Sequence, residues 1–163
     1  MHRSVFSESY LHKRLMTCAR ALAALLLADV PRVAWPAALL RTGSGAIFIG
    51  FGLGKFIHHA RETHSFATYG LPSPGVFASA IGVLELSLGV VLVVGLGARL
   101  ASVMLAGDMV GAIVTAGRVE GGAINLGLAP ALLVVMLFLT WSGAGRWSVD
   151  SRLRGRLQHS ESA

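Results

Sequence analysis

The chain has 163 residues, of which 54% are hydrophobic and only 13% are charged, and its net charge is +6. Soluble domains carry about 25% charged residues, so this composition excludes an ordinary soluble domain and indicates lipid as the solvent. Aromatic residues do not interleave with the basic ones, so we expect no nucleic-acid partner. Basic ends on a membrane protein contact anionic membrane lipid instead.

The sequence contains one cysteine, Cys18. A single cysteine excludes an internal disulfide and any Cys-x-x-Cys redox or zinc motif. We therefore expect no intrinsic cofactor, although the chain is still able to serve a redox group that another subunit binds.

Two segments precede the first long apolar run. Residues 1–14 are polar and basic, and they predict a flexible cytoplasmic tail. Residues 15–34 contain an apolar core between Arg20 and Asp29 that is too short to span a bilayer, which favours an interfacial amphipathic helix. The alternative is a signal-like segment, because a basic region followed by a short apolar run is also the outline of a signal peptide.

Four apolar segments predict transmembrane helices. At a rise of about 1.5 Å per residue, a helix of about 20 residues matches a hydrocarbon core of roughly 30 Å. The predicted spans cover residues 36–57, 76–97, 98–116 and 124–141. We therefore predict an all-α fold, in which a four-helix transmembrane bundle occupies residues 36–150 and follows the short interfacial helix.

Glycine and proline predict how the spans are connected. The polar segment 58–75 is interpreted as a loop. The Gly95-Leu96-Gly97 sequence predicts a tight turn, which makes spans two and three an antiparallel hairpin of neighbouring helices. Pro130 lies inside the fourth span and predicts a kink there.

Lysine and arginine are concentrated before the first span and after the last one, where residues 151–163 form a basic tail. The two connections on the opposite side contribute only Arg61 and Arg118, besides Lys55 at a helix end. Because positively charged flanks stay in the cytoplasm, we predict a multi-pass protein of a bacterial-type plasma membrane with both termini cytoplasmic.

Small residues at four-residue spacing predict where the helices pack. Lipid tails are as apolar as leucine, so helices in a membrane associate through close backbone approach and polar contacts. The predicted packing glycines are Gly50, Gly54, Gly82, Gly107 and Gly111.

Two carboxylates lie within the predicted hairpin. Glu85 is about 13 Å from the outer end of its span and Asp108 about 15 Å from the inner end of the next, so both lie near the midplane. Two carboxylates cannot share a dry site unless one keeps its proton or a cation compensates the charge. The candidate polar site therefore also includes the nearest cations, which are Arg41, Lys55 and Arg99.

Each of these cations has its own expected position. Arg41 is expected to reach toward the acids as their counter-charge. Lys55 either approaches Glu85 or extends to the headgroups. Arg99 lies at the inner interface, where a phosphate or a quinone is a candidate contact. Such a cluster either fixes the helix register or forms a functional site, and both readings stay open.

The polar segment after the first span holds a weak candidate for metal binding. If the helix continues past the span, His58 and Glu62 lie on one face, and His64 is able to fold toward them. A solvated loop is the more common arrangement for such residues, so we expect no metal.

Four short motifs resemble the DoxX-like family of small four-helix integral membrane proteins, over roughly residues 39–153. The motifs are Arg41 with Gly52 and Lys55-Phe56, Gly70-Leu71-Pro72, Glu85 through Leu100, and Gly143 through Asp150. The resemblance implies a membrane subunit close to quinol-oxidising, thiosulfate-to-quinone or oxidative-stress chemistry.

The leading hypothesis is an integral membrane subunit of a quinone-linked or oxidative-stress-related redox complex, accessory or anchoring rather than cofactor-bearing. Quinone is then the candidate ligand, with protein partners in a membrane complex and a homo-oligomer as an additional assembly. Two alternatives stay open. One is a small-molecule or proton transporter that uses the midplane acids, and the other is a structural scaffold that recruits soluble enzymes.

Overall fold

The structure is a computed structural model, and it describes residues 33–120, 122, 124–143, 145 and 148–150. Within these ranges every regular element is a helix, which confirms the all-α fold class. The predicted tails 1–14 and 151–163 lie outside the described residues. So does the predicted interfacial helix, apart from its last two residues.

The chain forms six α-helices and one π-helix in the described ranges. They are α1 (Ala34–Ile57), α2 (His59–Thr68), α3 (Pro74–Val94), α4 (Ala98–Val114), α5 (Ala116–Val119), the π-helix Ile124–Leu128 and α6 (Ala129–Ser142). Three helical segments are long and apolar enough to cross a membrane: α1, α3 and the segment Ala98–Val119. The segment Leu126–Ser142 is a shorter apolar helix.

Large apolar side chains cover the outside of these helices. Val76, Leu100 and Val134 are 58–69% exposed, and many other leucines, valines and isoleucines are similarly placed. The backbone groups of each span are satisfied within its own helix, which is what a lipid environment requires. The protein is therefore a membrane protein with several apolar helices in contact with lipid.

Helix α1 packs chiefly on α3, and α4 packs chiefly on α6. Four glycines bring α1 and α3 together. A methyl group placed on Gly45 would lie 2.9 Å from the carbonyl oxygen of Gly89, and one placed on Gly52 would lie 2.8 Å from that of Gly82. In each helix the two glycines are seven residues apart, about two turns, so they lie on one face.

The predicted packing glycines are placed differently by the structure. Gly82 does contact α1, but a methyl group on any of the other four would meet no neighbouring atom within 4 Å. The prediction was therefore wrong for Gly50, Gly54, Gly107 and Gly111, as far as the described residues reach. Four-residue spacing identifies a helical face, but it does not identify the neighbour which that face meets.

The segment after α1, which was predicted as a loop, contains helix α2. This helix packs on α3 but buries none of its residues. Most residues of this helix are polar, so the long apolar segments by which the spans were predicted do not reveal it.

Pro130 lies in the first turn of α6, immediately after the π-helix Ile124–Leu128. Proline has no backbone N–H, so the hydrogen-bond pattern of the preceding turn cannot continue unchanged through it. The predicted kink inside a continuous helix is thus replaced by a junction between a π-helix and an α-helix.

The turn between α3 and α4 depends on two glycines and on a distant arginine. Gly95 and Gly97 adopt left-handed conformations with φ of 76° and 59°. The buried Arg41 guanidinium of α1 donates hydrogen bonds to the carbonyl oxygens of Leu92 and Val93, at 2.9 and 3.2 Å. Arg41 therefore caps the C-terminal end of α3.

Asp150 closes the same turn from the end of the described chain. Its carboxylate oxygens accept hydrogen bonds from the backbone N–H groups of Gly97 and Ala98, at 2.9 and 3.2 Å. Its own backbone N–H donates to the carbonyl oxygen of Gly95 at 3.1 Å. A carboxylate at this position satisfies the first N–H groups of α4, as an N-terminal cap does.

Helices α3 and α4 are joined by this tight turn, yet they share less packing with each other than α1 shares with α3 or α4 with α6. A cavity of about 440 Å³ lies between them.

Candidate functional site

A cavity of about 440 Å³ lies between α3 and α4, with side chains of α2 at one end. Its apolar walls come mainly from Phe66 of α2, from Phe77, Ile81 and Leu84 of α3, and from Met104 of α4. Cavities of this size, apolar with a few convergent polar groups, are typical small-molecule sites.

Gly107 and Gly111 of α4 line this cavity. No atom lies within 4 Å of a methyl group built on either glycine, so each leaves space that a side chain would fill. These two glycines therefore leave room in the wall of the apolar cavity. They do not form a contact with another helix in the described residues.

Lys55 of α1 and Glu85 of α3 are two of the polar residues that line the cavity. The lysine Nζ atom lies 2.7 Å from the Oε2 atom of Glu85, and the two side chains are only 14% and 4% exposed. This ion pair is buried among apolar helices, so each charge depends on the other for stabilisation.

Asp108 of α4 lines the same cavity. Its carboxylate lies close enough to Glu85 for the two charges to act on each other. Its Oδ2 atom is buried and has no hydrogen-bond partner among the described residues. A buried carboxylate oxygen without a donor is costly, so this oxygen requires a proton or a donor.

The structure thus brings together three of the five predicted polar residues, Glu85, Asp108 and Lys55. Arg41 is about two helical turns from Glu85, because it binds the carbonyl groups at the end of α3. Arg41 was expected to be the counter-charge of the acids, but in the structure Lys55 has this position. Arg99 also lies at the turn end of the bundle, where it donates to the carbonyl oxygen of Trp141 at 3.1 Å.

The weak metal candidates are not gathered into a ligand set. Within the described ranges, no group of three or more His, Cys, Asp or Glu side chains is placed to hold a metal ion. His58 and Glu62 both line a polar cavity, whereas His64 is exposed and lines none of the cavities described here.

This polar cavity, of about 300 Å³, is a feature that the sequence reasoning missed. It lies between α1 and α2 and reaches Lys55. A helical signal was present, because residues 58, 62, 65 and 69 recur at spacings of three and four and are all polar or amphipathic.

Tyr69 stands where the polar and the apolar cavity meet, since it lines both. Burial, together with the neighbouring Glu120 carboxylate, raises the pKa of Tyr69 to about 12. Its hydroxyl group therefore keeps its proton at neutral pH.

Comparison with known proteins is consistent with this architecture. The sequence model of the DoxX family matches residues 37–118. The chain is 36% identical over 126 residues to a Mycobacterium tuberculosis protein named "Uncharacterized membrane protein Rv3486", covering 69% of this chain and 77% of that protein. It is 39% identical over 77 residues to the Bacillus subtilis "Putative oxidoreductase CatD", covering 47% and 56% respectively. No solved structure matches the chain.

Proposed function

The chain belongs to the DoxX family of membrane proteins, and we propose that it is an accessory subunit of a quinone-linked or oxidative-stress-related membrane redox complex. The observation that carries the proposal is the apolar cavity between α3 and α4, which ends at Lys55, Glu85 and Asp108. The name of the Bacillus subtilis relative, a putative oxidoreductase, is in keeping with it.

The residues of the cavity fit a quinone. Phe66, Phe77 and Met104 offer apolar and aromatic contacts for a ring. Lys55 and Asp108 are the groups that would hold the ring oxygens, the first as a hydrogen-bond donor and the second as a donor or acceptor according to its protonation. A bound quinone supplies the reversible uptake of electrons and protons, and the buried carboxyls of this chain hold protons beside it.

The accessory role is proposed because the sequence contains one cysteine. An iron–sulfur cluster needs several cysteine ligands, which this chain does not have. The electron donor and acceptor then belong to partner subunits. In this proposal both termini lie in the cytoplasm of a bacterial-type plasma membrane, so that the basic tails face soluble partners and anionic lipid.

The test is quinone-dependent electron flow in membranes that contain the full chain. We expect Glu85→Gln and Asp108→Asn to reduce the rate with a short-chain quinone by about tenfold or more, because each removes a proton-accepting group beside the ligand. The matched control is Ser87→Ala, an exposed position on the same helix as Glu85. Unchanged electron flow in correctly folded acid variants would contradict the proposal.

A second candidate, a transporter of protons or small molecules, is favoured by one observation. The polar cavity and the apolar cavity meet at Lys55, so the buried acids have polar groups on one side and an apolar space on the other. Flux across liposomes that contain only this protein, in the absence of any redox partner, would favour transport over the accessory role.

A further inference from the structure

The polar cavity and the apolar cavity share three residues, Lys55, Glu62 and Tyr69. The other polar side chains of the polar cavity are those of His58, of Arg61 and Ser65 on α2, and of Glu120, which follows α5; α1 adds Gly50, Phe51 and Gly54. The apolar cavity is lined mainly by hydrophobic residues of α3 and α4. The polar cavity and the apolar cavity thus meet at Lys55, which belongs to the buried ion pair.

The buried acids need a proton. Glu85 and Asp108 face one ammonium group, that of Lys55, which is bonded to Glu85 at 2.7 Å. The Oδ2 atom of Asp108 is buried and finds no donor in the described structure, and the neighbouring Glu85 carboxyl offers one only when a proton is present. A single proton on this pair leaves the group with Lys55 electrically neutral and supplies the missing donor.

We infer that the polar cavity delivers protons from the aqueous phase to the Glu85–Asp108 pair, and that Glu62 is the relay. Glu62 lines both cavities, and its charge acts on Glu85. It is the carboxyl group, other than the pair itself, that borders the apolar cavity in the described ranges.

The other titratable groups around the polar cavity are less suited to this role. Tyr69, with a pKa raised to about 12, does not release its proton at neutral pH. Lys55 is held by Glu85, and the Arg61 guanidinium is a hydrogen-bond donor with no acceptor for a proton. His58 and Glu120 are exposed, and they line the polar cavity but not the apolar one.

The relay conserves atoms and charge. A hydronium ion in the polar cavity transfers its proton to the Glu62 carboxylate and leaves water. The Glu62 carboxylic acid then passes that proton through water in the cavity to the carboxylate of the pair and returns to its ionised form. No other bond is made or broken, and no electron moves.

The inference rests on the proposed function in one respect, which is that the Glu85–Asp108 pair is the functional site. Its test uses no quinone and no partner. A failure of proton delivery and a failure of quinone binding are therefore separate results.

The experiment is infrared spectroscopy of the full chain in liposomes after a change from H₂O to D₂O. The protonated carboxyl band is assigned by its loss in Asp108→Asn or Glu85→Gln, and the rate at which it shifts reports proton exchange. We expect Glu62→Gln to slow this exchange by about tenfold or more, since an amide does not relay a proton. An unchanged rate in Glu62→Gln would overturn the inference.

The matched control is Glu120→Gln, the same chemical change at a residue that lines the polar cavity alone. We expect its exchange rate to stay close to that of the unmodified chain. An equal slowing in both variants would overturn the relay, because the effect would then come from the lost negative charge.

A second measurement tests whether the polar cavity is open to water. In a Cys18→Ser background, Ser65→Cys places a thiol in this cavity and Val83→Cys places one on the exposed apolar face of α3. We expect a membrane-impermeant thiol reagent to label the first and not the second. A Ser65→Cys variant that stays unlabelled from both sides would overturn the inference.

Discussion

Lys55 and Glu85 form a buried ion pair across the crossing of α1 and α3, with 2.7 Å between Nζ and Oε2. Each residue lies three positions after a glycine of that crossing, Gly52 on α1 and Gly82 on α3. Three residues are nearly one helical turn. The distance between the charges thus follows from how closely the two backbones approach.

Lys55→Met is expected to destabilise the fold by about 3 kcal/mol, because it leaves the buried Glu85 without its partner. The double variant with Glu85→Gln should recover part of that loss, since no uncompensated charge then remains. The measurement is a double-mutant cycle on the free energy of unfolding in detergent. If the two single effects simply add, the pair does not couple as described.

Gly52→Ala is expected to lower the free energy of unfolding by about 1–3 kcal/mol, because the added methyl group overpacks the crossing. It would lie 2.7 Å from the backbone nitrogen of Leu86. Gly50→Ala, on the same helix with no atom within 4 Å of the new methyl group, is the control. Thermal unfolding of both variants should show a loss in the first alone.

Asp150→Ala is expected to cost about 1–2 kcal/mol of stability, because it removes both acceptors at the start of α4. Asp150→Asn keeps one acceptor oxygen and should lose less. The measurement is the unfolding midpoint of each variant. Equal losses in the two would show that the charge of Asp150, and not its acceptor geometry, stabilises the turn.

Gly107→Leu is expected to weaken binding of a short-chain quinone by about tenfold or more, because it fills apolar space that the ligand needs. The fold should tolerate the change, since no atom lies within 4 Å of the new Cβ. Gly43→Leu is the matched control, because it has the same free space but lines none of the cavities described. Equal binding by both variants would contradict this assignment of the cavity.

Tyr69 should make stability depend on pH only in the alkaline range. Its pKa is about 12 in the folded protein, above the ordinary value of 10.0. Its stabilising contribution is present below the ordinary pKa and is lost as pH rises toward about 12, because the unfolded chain ionises first. The difference in tyrosinate absorbance between the unmodified chain and Tyr69→Phe measures this titration.

The sequence was sufficient to place Glu85 and Asp108 at the same depth. Both positions are counted from one short glycine turn, so the helical rise alone sets them at equal depth. The spans were likewise readable, because lipid demands long apolar segments whatever their neighbours are.

The direction of the Arg41 side chain could not be predicted from the sequence. Its depth was known, but depth does not state which way a long side chain extends, and Arg41 binds the end of α3. The packing glycines failed for a related reason, because the face of α1 that meets α3 carries Gly45 and Gly52 rather than Gly50 and Gly54. Both depend on helix rotation, which hydropathy does not determine.

The side chains that bind the two sides of the α3–α4 turn come from distant parts of the chain, which are synthesised at different times. Arg41 is synthesised before the turn, whereas Asp150 follows it by more than fifty residues and the whole of α6. During synthesis the N–H groups of Gly97 and Ala98 therefore reach the Asp150 carboxylate only after the last helix has been made. A nascent chain that halts before Asp150 holds the apolar helices and Arg41, yet it lacks the carboxylate that binds the start of α4.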